Sequence, residues 1–274
     1  MAAGFDEFNQ FERSMWEQRA SNYADSFEAL TAVTIERLLD AVGAGSGTDL
    51  LDVGTGPGFV AAAAVARGAN VTGIDVADAM VELAQQRVPT GRFQQGSAEQ
   101  LPVPDDAFDA VVGNFVLLHL GHPDRGVAEA RRVLRPGGRC AFTVWDSATV
   151  NRALGVFHDA VERAGVAPPD DVPTGPPMFA LGESAAFGNL LRDAGFENVA
   201  ITECTGSVRV DPVDWWDATL RSTPRTGTLI ARQTPTVQAK IRAFYDELVA
   251  PYTDGHDVVL DVAAVLASAV APTS

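Results

Sequence analysis

Three glycines within five positions, Gly54-Thr55-Gly56-Pro57-Gly58, constrain this chain more than any other stretch. Leu50-Leu51-Asp52-Val53 before them is an apolar run that fits a short buried parallel strand. Phe59 and the alanine-rich residues 60–67 after them form a strong helix former with an apolar face. A strand, a glycine turn and a helix bring unpaired helix N–H groups to the carboxyl edge of a sheet, where an anionic group of a ligand can lie against bare backbone. The spacing is G-x-G-x-G. In the dinucleotide pattern G-x-G-x-x-G the third glycine would fall on Phe59, which disfavours a nicotinamide oxidoreductase.

The rest of residues 48–145 alternates in the same way. Residues 70–74 are a second apolar run ending in Asp75, 21 positions beyond Gly54, and residues 77–88 read as a helix. An acidic side chain at the end of a second strand can accept hydrogen bonds from both hydroxyls of a ribose. Residues 91–96 read as a third strand and 110–113 as a fourth. Residues 124–134 read as an amphipathic helix, and residues 135–138, Arg-Pro-Gly-Gly, as a turn into a fifth strand over 139–145. This alternation predicts an α/β fold with a doubly wound parallel sheet and a ligand at its carboxyl edge.

Several stretches resemble one family. The glycine turn preceded by Asp52 resembles motif I of the class I S-adenosylmethionine (SAM) dependent methyltransferases. Gly96-Ser97-Ala98-Glu99-Gln-Leu-Pro-Val-Pro-Asp-Asp-Ala-Phe108-Asp109 resembles the G-D-A-x-x-L-P-F-x-D-x-S-F-D-x-V signature of the ubiquinone/menaquinone-type (methyltransferase type 11) superfamily, with Ser97 where many members carry Asp. The run Arg-Val-Leu-Arg-Pro-Gly-Gly-Arg over 132–139 is typical of it too. Residues 16–23, from Trp16 to Tyr23, resemble the N-terminal helix of many small-molecule methyltransferases.

The resemblance implies a seven-stranded sheet of order 3-2-1-4-5-7-6, its last strand antiparallel, with helices on both faces. It also implies an N-terminal helical lid and a small helical insertion before the last strand. The chain then reads as a single domain over 1–274: N-terminal helices in 1–45, a SAM-binding core in 46–148, and substrate-side helices, a loop and two strands in 149–274. The implied cofactor is SAM, with S-adenosylhomocysteine as product. Gly54, Thr55, Gly56 and Gly58 lie by its carboxylate, Asp52 near its ammonium end and Asp75 on its ribose. Val76 and Met80 lie against the adenine face, Ser97, Ala98 and Glu99 at the adenine end, and Asn114 on the floor by the sulfonium.

Outside these motifs the reading divides. Phe5, Phe8, Phe11 and Met15-Trp16 recur at helical spacing, as do the leucines of 29–42; this segment is either an added core helix or a lid. Residues 166–181 hold five prolines and two aspartates and read as an irregular loop on the active-site side. Helices are expected at 151–164, 183–194, 212–223 and 236–249, and strand character at 199–210. The last strand is placed at 258–268 on the resemblance, although alanine-rich 261–271 by pattern alone reads as helix.

The chemistry that follows is in-line displacement at a sulfonium methyl. A base is needed only for a hydroxyl, phenol or activated-carbon acceptor. His119 and Tyr23 are the candidates for that base or for orienting the acceptor, with His158 behind them. Trp16, Phe115, Trp145, Phe179 and Trp215 are expected to line a largely apolar acceptor pocket beside Tyr23. No metal is expected, since strand four ends in Asn114 and Asp146 stands alone. A SAM-fold enzyme repurposed for a non-methyl reaction and a non-catalytic SAM-binding protein stay open as alternatives.

The charge of −16 at pH 7 repels phosphate backbones and argues against nucleic acid. No apolar run reaches the length of a membrane helix, and the start of the chain lacks the pattern of a secretion signal. The expectation is a cytoplasmic protein acting on a small molecule, with no membrane partner and a homodimer left open. Cys140 and Cys204 sit in apolar runs and read as reduced core residues.

Overall fold

The protein is described here by a computed structural model covering residues 2–169 and 172–273, with side chains from residue 6 onward. Phe5 as a side chain and the two aspartates of the proline-rich loop lie outside the described residues. The chain opens with two helices, α1 (Ala2–Ser26) and α2 (Glu28–Val42). The core then alternates: β1 (Asp49–Val53), α3 (Phe59–Ala66), β2 (Asn70–Asp75), α4 (Asp78–Arg87), β3 (Arg92–Gln95), β4 (Phe108–Asn114), α5 (Pro123–Val133) and β5 (Leu134–Trp145). The remainder is α6 (Arg152–Ala164), α7 (Ser184–Asp193), β6 (Glu197–Val210), α8 (Pro212–Ser222), α9 (Pro224–Ala231), α10 (Pro235–Val249), β7 (Thr253–Asp254) and β8 (Asp257–Val270).

The sheet runs β3-β2-β1-β4-β5-β8-β6, with β7 pairing only with β8. This is the expected order with one extra two-residue strand. β1 to β5 are parallel and β8 is antiparallel to both neighbours. Parallel strands end at one edge, so the turn after Val53, Asp75, the segment after Asn114 and Trp145 meet there. Leu50, Leu51, Val111 and Val112 are fully enclosed, as central strands covered on both faces must be.

Two local expectations give way. Alanine-rich 261–271 is strand, not helix. β8 sits between β5 and β6, and Ala263, Ala264 and Ala267 are buried on a strand that is covered on both faces. Small side chains let α2 and α6 approach that strand, and two full ladders of hydrogen bonds outweigh the helix preference of alanine, a weak prior by comparison. Arg-Pro-Gly-Gly is a bulge inside β5 rather than a turn before it. Phe108 pairs with Leu134 and Ala110 with Arg139, so residues 135–138 loop out between the two pairs. The helical insertion before the last strand contains three helices, of which α9 was not anticipated.

α1 lies across the carboxyl edge of the sheet. Its Phe8 is fully buried, and Arg19 fastens it to the insertion by donating to the carbonyls of Leu220 (2.8 Å) and Thr223 (2.5 Å) and to Thr228 Oγ1 (2.9 Å). Hydrogen bonds from a charged donor contribute about 1.5–3 kcal/mol each at best, and three from one side chain share its desolvation cost. Arg19→Met is therefore expected to lower unfolding stability by about 3 kcal/mol in urea titration and to open α1 to limited proteolysis. Unchanged stability and protease resistance would show that α1 is held by other contacts.

Candidate functional site

Two cavities meet at the carboxyl edge. The first is a narrow cleft of about 110 Å³ between the glycine turn, Asp75, the Ser97–Glu99 segment and α1. Gly54 and Gly56 both have positive φ, +67° and +53°. A Cβ on Gly54 would stand 2.5 Å from Val116, whereas one on Gly56 would meet nothing within 4 Å. Gly54 is thus needed for close packing, and Gly56 leaves bare backbone facing open space, the shape of a cradle for a ligand group. Asp75 is buried at 8% exposure; its Oδ2 accepts from Gly56 N (2.9 Å) and its Oδ1 from Ala77 N (3.0 Å). Burial raises its pKa, opposed by those backbone N–H groups. Val76 and Met80 line the same cleft, as do Ser97, Ala98, Glu99 and Asn114.

Asp52, Thr55 and Gly58 stand behind this wall rather than on it. Asp52 is 1% exposed, and its Oδ2 accepts from Thr55 Oγ1 at 2.7 Å. The Ala61 backbone N–H, in the first turn of α3, also supports its charged form. Burial nonetheless dominates and pushes its pKa up to about 7. Glu99 and Asn114 reach the cleft with their polar groups already engaged. Glu99 Oε1 accepts from Asn9 Nδ2 (2.9 Å) and His122 N (2.8 Å). Asn114 Oδ1 accepts from Thr34 Oγ1 (2.7 Å) and Thr143 Oγ1 (2.6 Å), and its Nδ2 donates to the Thr31 carbonyl.

The second cavity is larger, about 420 Å³, and is walled by α1, α6, α8, α9 and the proline-rich loop. Trp16, Phe115, Trp145 and Phe179 line it as expected, and His158 lies beside Phe179 with rings 5.7 Å apart. Trp215 does not. Its Nε1 donates to the Ala153 carbonyl at 2.9 Å and its ring lies 5.3 Å from Phe27, so it fills the core between α8 and α6. Thr219, four residues on, takes the cavity-facing position on α8.

Trp16, Tyr23, Phe115 and His119 line both cavities and form the partition between them. Phe115 has φ of +60°, a costly conformation for a bulky side chain, held by its N–H donating to the Thr143 carbonyl and by stacking on Trp145. The 3-10 turn Leu117–His119 follows and delivers His119 to the partition. His119 Nδ1 lies 3.0 Å from Glu12 Oε2, and Trp16 presents an edge-to-face contact with centroids 5.0 Å apart. Glu12 is 3% exposed. Tyr23 has its pKa raised by burial and by the charge of Asp75, which keeps the phenol protonated and removes it as a base.

Glu12 and Asn9 were missed from the sequence. With Trp16 and Tyr23 they make a stripe at 9, 12, 16 and 23 of α1, all lining the cleft. That spacing is a helical face and was visible, but its polar members lie among other acidic and amide residues and carry no motif.

The order β3-β2-β1-β4-β5-β8-β6, with the glycine cradle and a ribose-type acidic residue at its carboxyl edge, defines the class I SAM-dependent methyltransferase fold. Residues 51–142 match the family model described as Methyltransferase domain. The chain is 35% identical over 125 residues to a malonyl-[acyl-carrier protein] O-methyltransferase of Serratia marcescens, covering 46% of this chain and 49% of the relative. It is 35% identical over 127 residues to a demethylmenaquinone methyltransferase of Clavibacter sepedonicus, covering 44% and 52%. The chain thus spans about half the length of these curated relatives or less. A crystal structure of a Bacillus halodurans C-125 protein described as a methyltransferase aligns with a TM-score of 0.60 at 23% identity, over 87% of this chain and 99% of that one. Among the described residues no helix is long and apolar enough to cross a membrane.

The residues present fit SAM. Gly56 offers uncovered backbone, and Asp75 holds two N–H groups and has acceptor capacity left for hydroxyls. Asp75 and Glu12 give the cleft acidic walls suited to a sulfonium. Asp75→Ala is expected to weaken SAM binding at least tenfold by calorimetry, about 1.4 kcal/mol, and Asp75→Asn by a smaller factor; an unchanged affinity in both would remove Asp75 from the site.

The buried Asp52 predicts a pH dependence of stability. Its folded pKa of about 7 lies above the unfolded value near 3.9, so the folded state binds this proton more tightly. The stabilisation is complete below about pH 4 and is lost as pH rises through about 7, at roughly 1.4 kcal/mol per unit between them. Melting temperatures of the protein without SAM should therefore fall from pH 5 to pH 7 more in wild type than in Asp52→Asn. Parallel curves for the two proteins would contradict this.

Proposed function

We propose that this protein transfers the methyl group of SAM to a small, largely apolar acceptor held in the second cavity. The observation that carries the reading is the shared partition. Among the described residues, Trp16, Tyr23, Phe115 and His119 line both cavities, and this suits an in-line displacement: donor on one side, acceptor on the other, reacting atoms between them. Bound SAM supplies a sulfonium methyl that is already a strong electrophile. Alignment is then the protein's chief contribution, and it can lower a barrier by about 7–11 kcal/mol in favourable cases.

The Glu12–His119 pair supplies proton transfer. Nδ1 faces Glu12 in a buried environment, which fixes the tautomer with its proton on Nδ1 and leaves Nε2 as the basic nitrogen. His119 then takes the proton of a hydroxyl, phenol or activated-carbon acceptor, and Glu12 stabilises the imidazolium. Tyr23, kept protonated, orients the acceptor. The names of the Serratia and Clavibacter relatives are compatible with an oxygen or a quinone-ring acceptor, and the aromatic lining suits a planar apolar body.

His119→Ala is expected to lower turnover roughly a hundredfold while SAM affinity changes little. Glu12→Gln should lower it less and shift the acid limb of the pH–rate profile. The assay is S-adenosylhomocysteine release with a product one methylene heavier by mass spectrometry, across phenolic and quinol acceptors. SAM and acceptor both binding, with neither product formed by wild type, would count against methyl transfer. Wild-type turnover in His119→Ala would confine His119 to packing.

A further inference from the structure

The wall that α8 and α9 give to the larger cavity carries a donor with nothing to bind. Arg225 lines this cavity, and its Nη1 is buried with no hydrogen-bond partner. Unsatisfied buried groups are rare and each costs about 1–3 kcal/mol, more when charged. The Arg225 guanidinium lies 5.5 Å from the centroid of the Phe8 ring, which positions it without neutralising it. Burial lowers its pKa, yet arginine stays cationic.

The charge count around it leaves a gap. Two guanidinium groups, Arg19 and Arg225, feel the carboxylate of Glu12. Arg19 is already spent on Leu220, Thr223 and Thr228, and Glu12 is engaged by His119. No described carboxylate is within ion-pair distance of Arg225, and among the described lining residues none is Asp or Glu. Among the described residues, one carboxylate against two guanidiniums leaves one positive charge beside an apolar cavity, and this in a chain of net charge −16. A partly buried arginine with no ion pair among the described residues leaves that position for an anion from outside.

We infer that the acceptor is an anion: an apolar body bearing a carboxylate, bound by the Arg225 guanidinium on the cavity wall. This rests on the reading of the larger cavity as the acceptor site. Arg225 would act as a specificity residue. It sits on the insertion, outside the segment shared with the methyltransferase family, which is where acceptor choice must be encoded.

The test uses two probes of matched shape, 2-naphthoate and 2-naphthamide, titrated calorimetrically into the full chain with S-adenosylhomocysteine present. Wild type should bind the carboxylate at least tenfold more tightly than the amide. Arg225→Met should bring the two to within about twofold and leave the melting temperature equal or higher, since it removes an unpaired buried cation. Arg225→Lys should restore part of the preference. Equal affinity of the two probes for wild type overturns the inference, as does a preference that survives in Arg225→Met. A lower melting temperature in Arg225→Met with the preference intact assigns Arg225 a structural role. Binding of S-adenosylhomocysteine is measured separately, so a failure of the methyltransferase reading shows there and not in the probe comparison.

Discussion

Asp75 holds the two halves of the cofactor cleft in one place. One carboxylate accepts from Gly56 in the turn after β1 and from Ala77 in the turn after β2, so two strand-to-helix turns are tied to a single buried group. Neither turn could keep its conformation in isolation: the first needs positive φ at Gly54 and Gly56, and the second opens α4 without a side-chain cap. The carboxylate is costly to bury, and its cost is met only because it replaces water with fixed N–H donors. The same residue raises the pKa of Tyr23 across the cleft, which links the glycine turn to the lid. A ligand binding there meets a site whose orientation is settled before it arrives.

Buried charge is used differently on the two sides of the partition. Asp52 and Asp75, on the cofactor side, both have their pKa raised chiefly by burial. Arg225, on the other side, has no ion pair among the described residues. Glu12 and His119 stand between, joined through Oε2 and Nδ1, while Glu12 Oε1 is buried without a hydrogen-bond partner. Acidic groups thus stand on one side of the plane where the methyl group would pass on the proposed reading and Arg225 on the other, and Trp16, Phe115 and Trp145 give that plane apolar walls. Apolar walls lower the local dielectric and strengthen the electrostatics between these groups.

The strand–helix alternation over 48–145 and the turns at the cleft were legible because they depend on local signals, whereas the order of the strands was implied by the resemblance. Gly54 to Gly58, Asp75 and the Ser97 segment each lie at the end of a strand, where the turn chemistry that shapes the backbone also shapes the site. The C-terminal half was less so. β8 is an alanine-rich strand whose state is decided by β5 and β6 on either side, neither of which is near it in sequence. Trp215 looked like a pocket residue because it is large and amphipathic. Its indole N–H finds the Ala153 carbonyl, and a satisfied donor draws the ring into the core. Glu12 could not be found from pattern, since what distinguishes it from Glu7 or Glu17 is burial against His119, more than a hundred residues away.

The division of labour along α1 gives some of its positions to the core and others to the wall of the cleft. Phe8 is fully buried and Arg19 is bonded to the insertion, so these positions are structural. Asn9, Glu12, Trp16 and Tyr23 face the cleft, and Asn9 further fastens the helix by accepting from Gly121 N at 2.8 Å and donating to Glu99. A helix that contributes both the walls of the cleft and the carboxylate behind His119 cannot leave without breaking the Glu12–His119 contact, on which the proposed base depends. If α1 swings aside to admit SAM, the site is inactive while open, and proton abstraction becomes available only once the helix has closed on the cofactor. Catalytic competence and exclusion of water are then the same event, because the residues that make the partition dry are carried on the element that completes the Glu12–His119 pair.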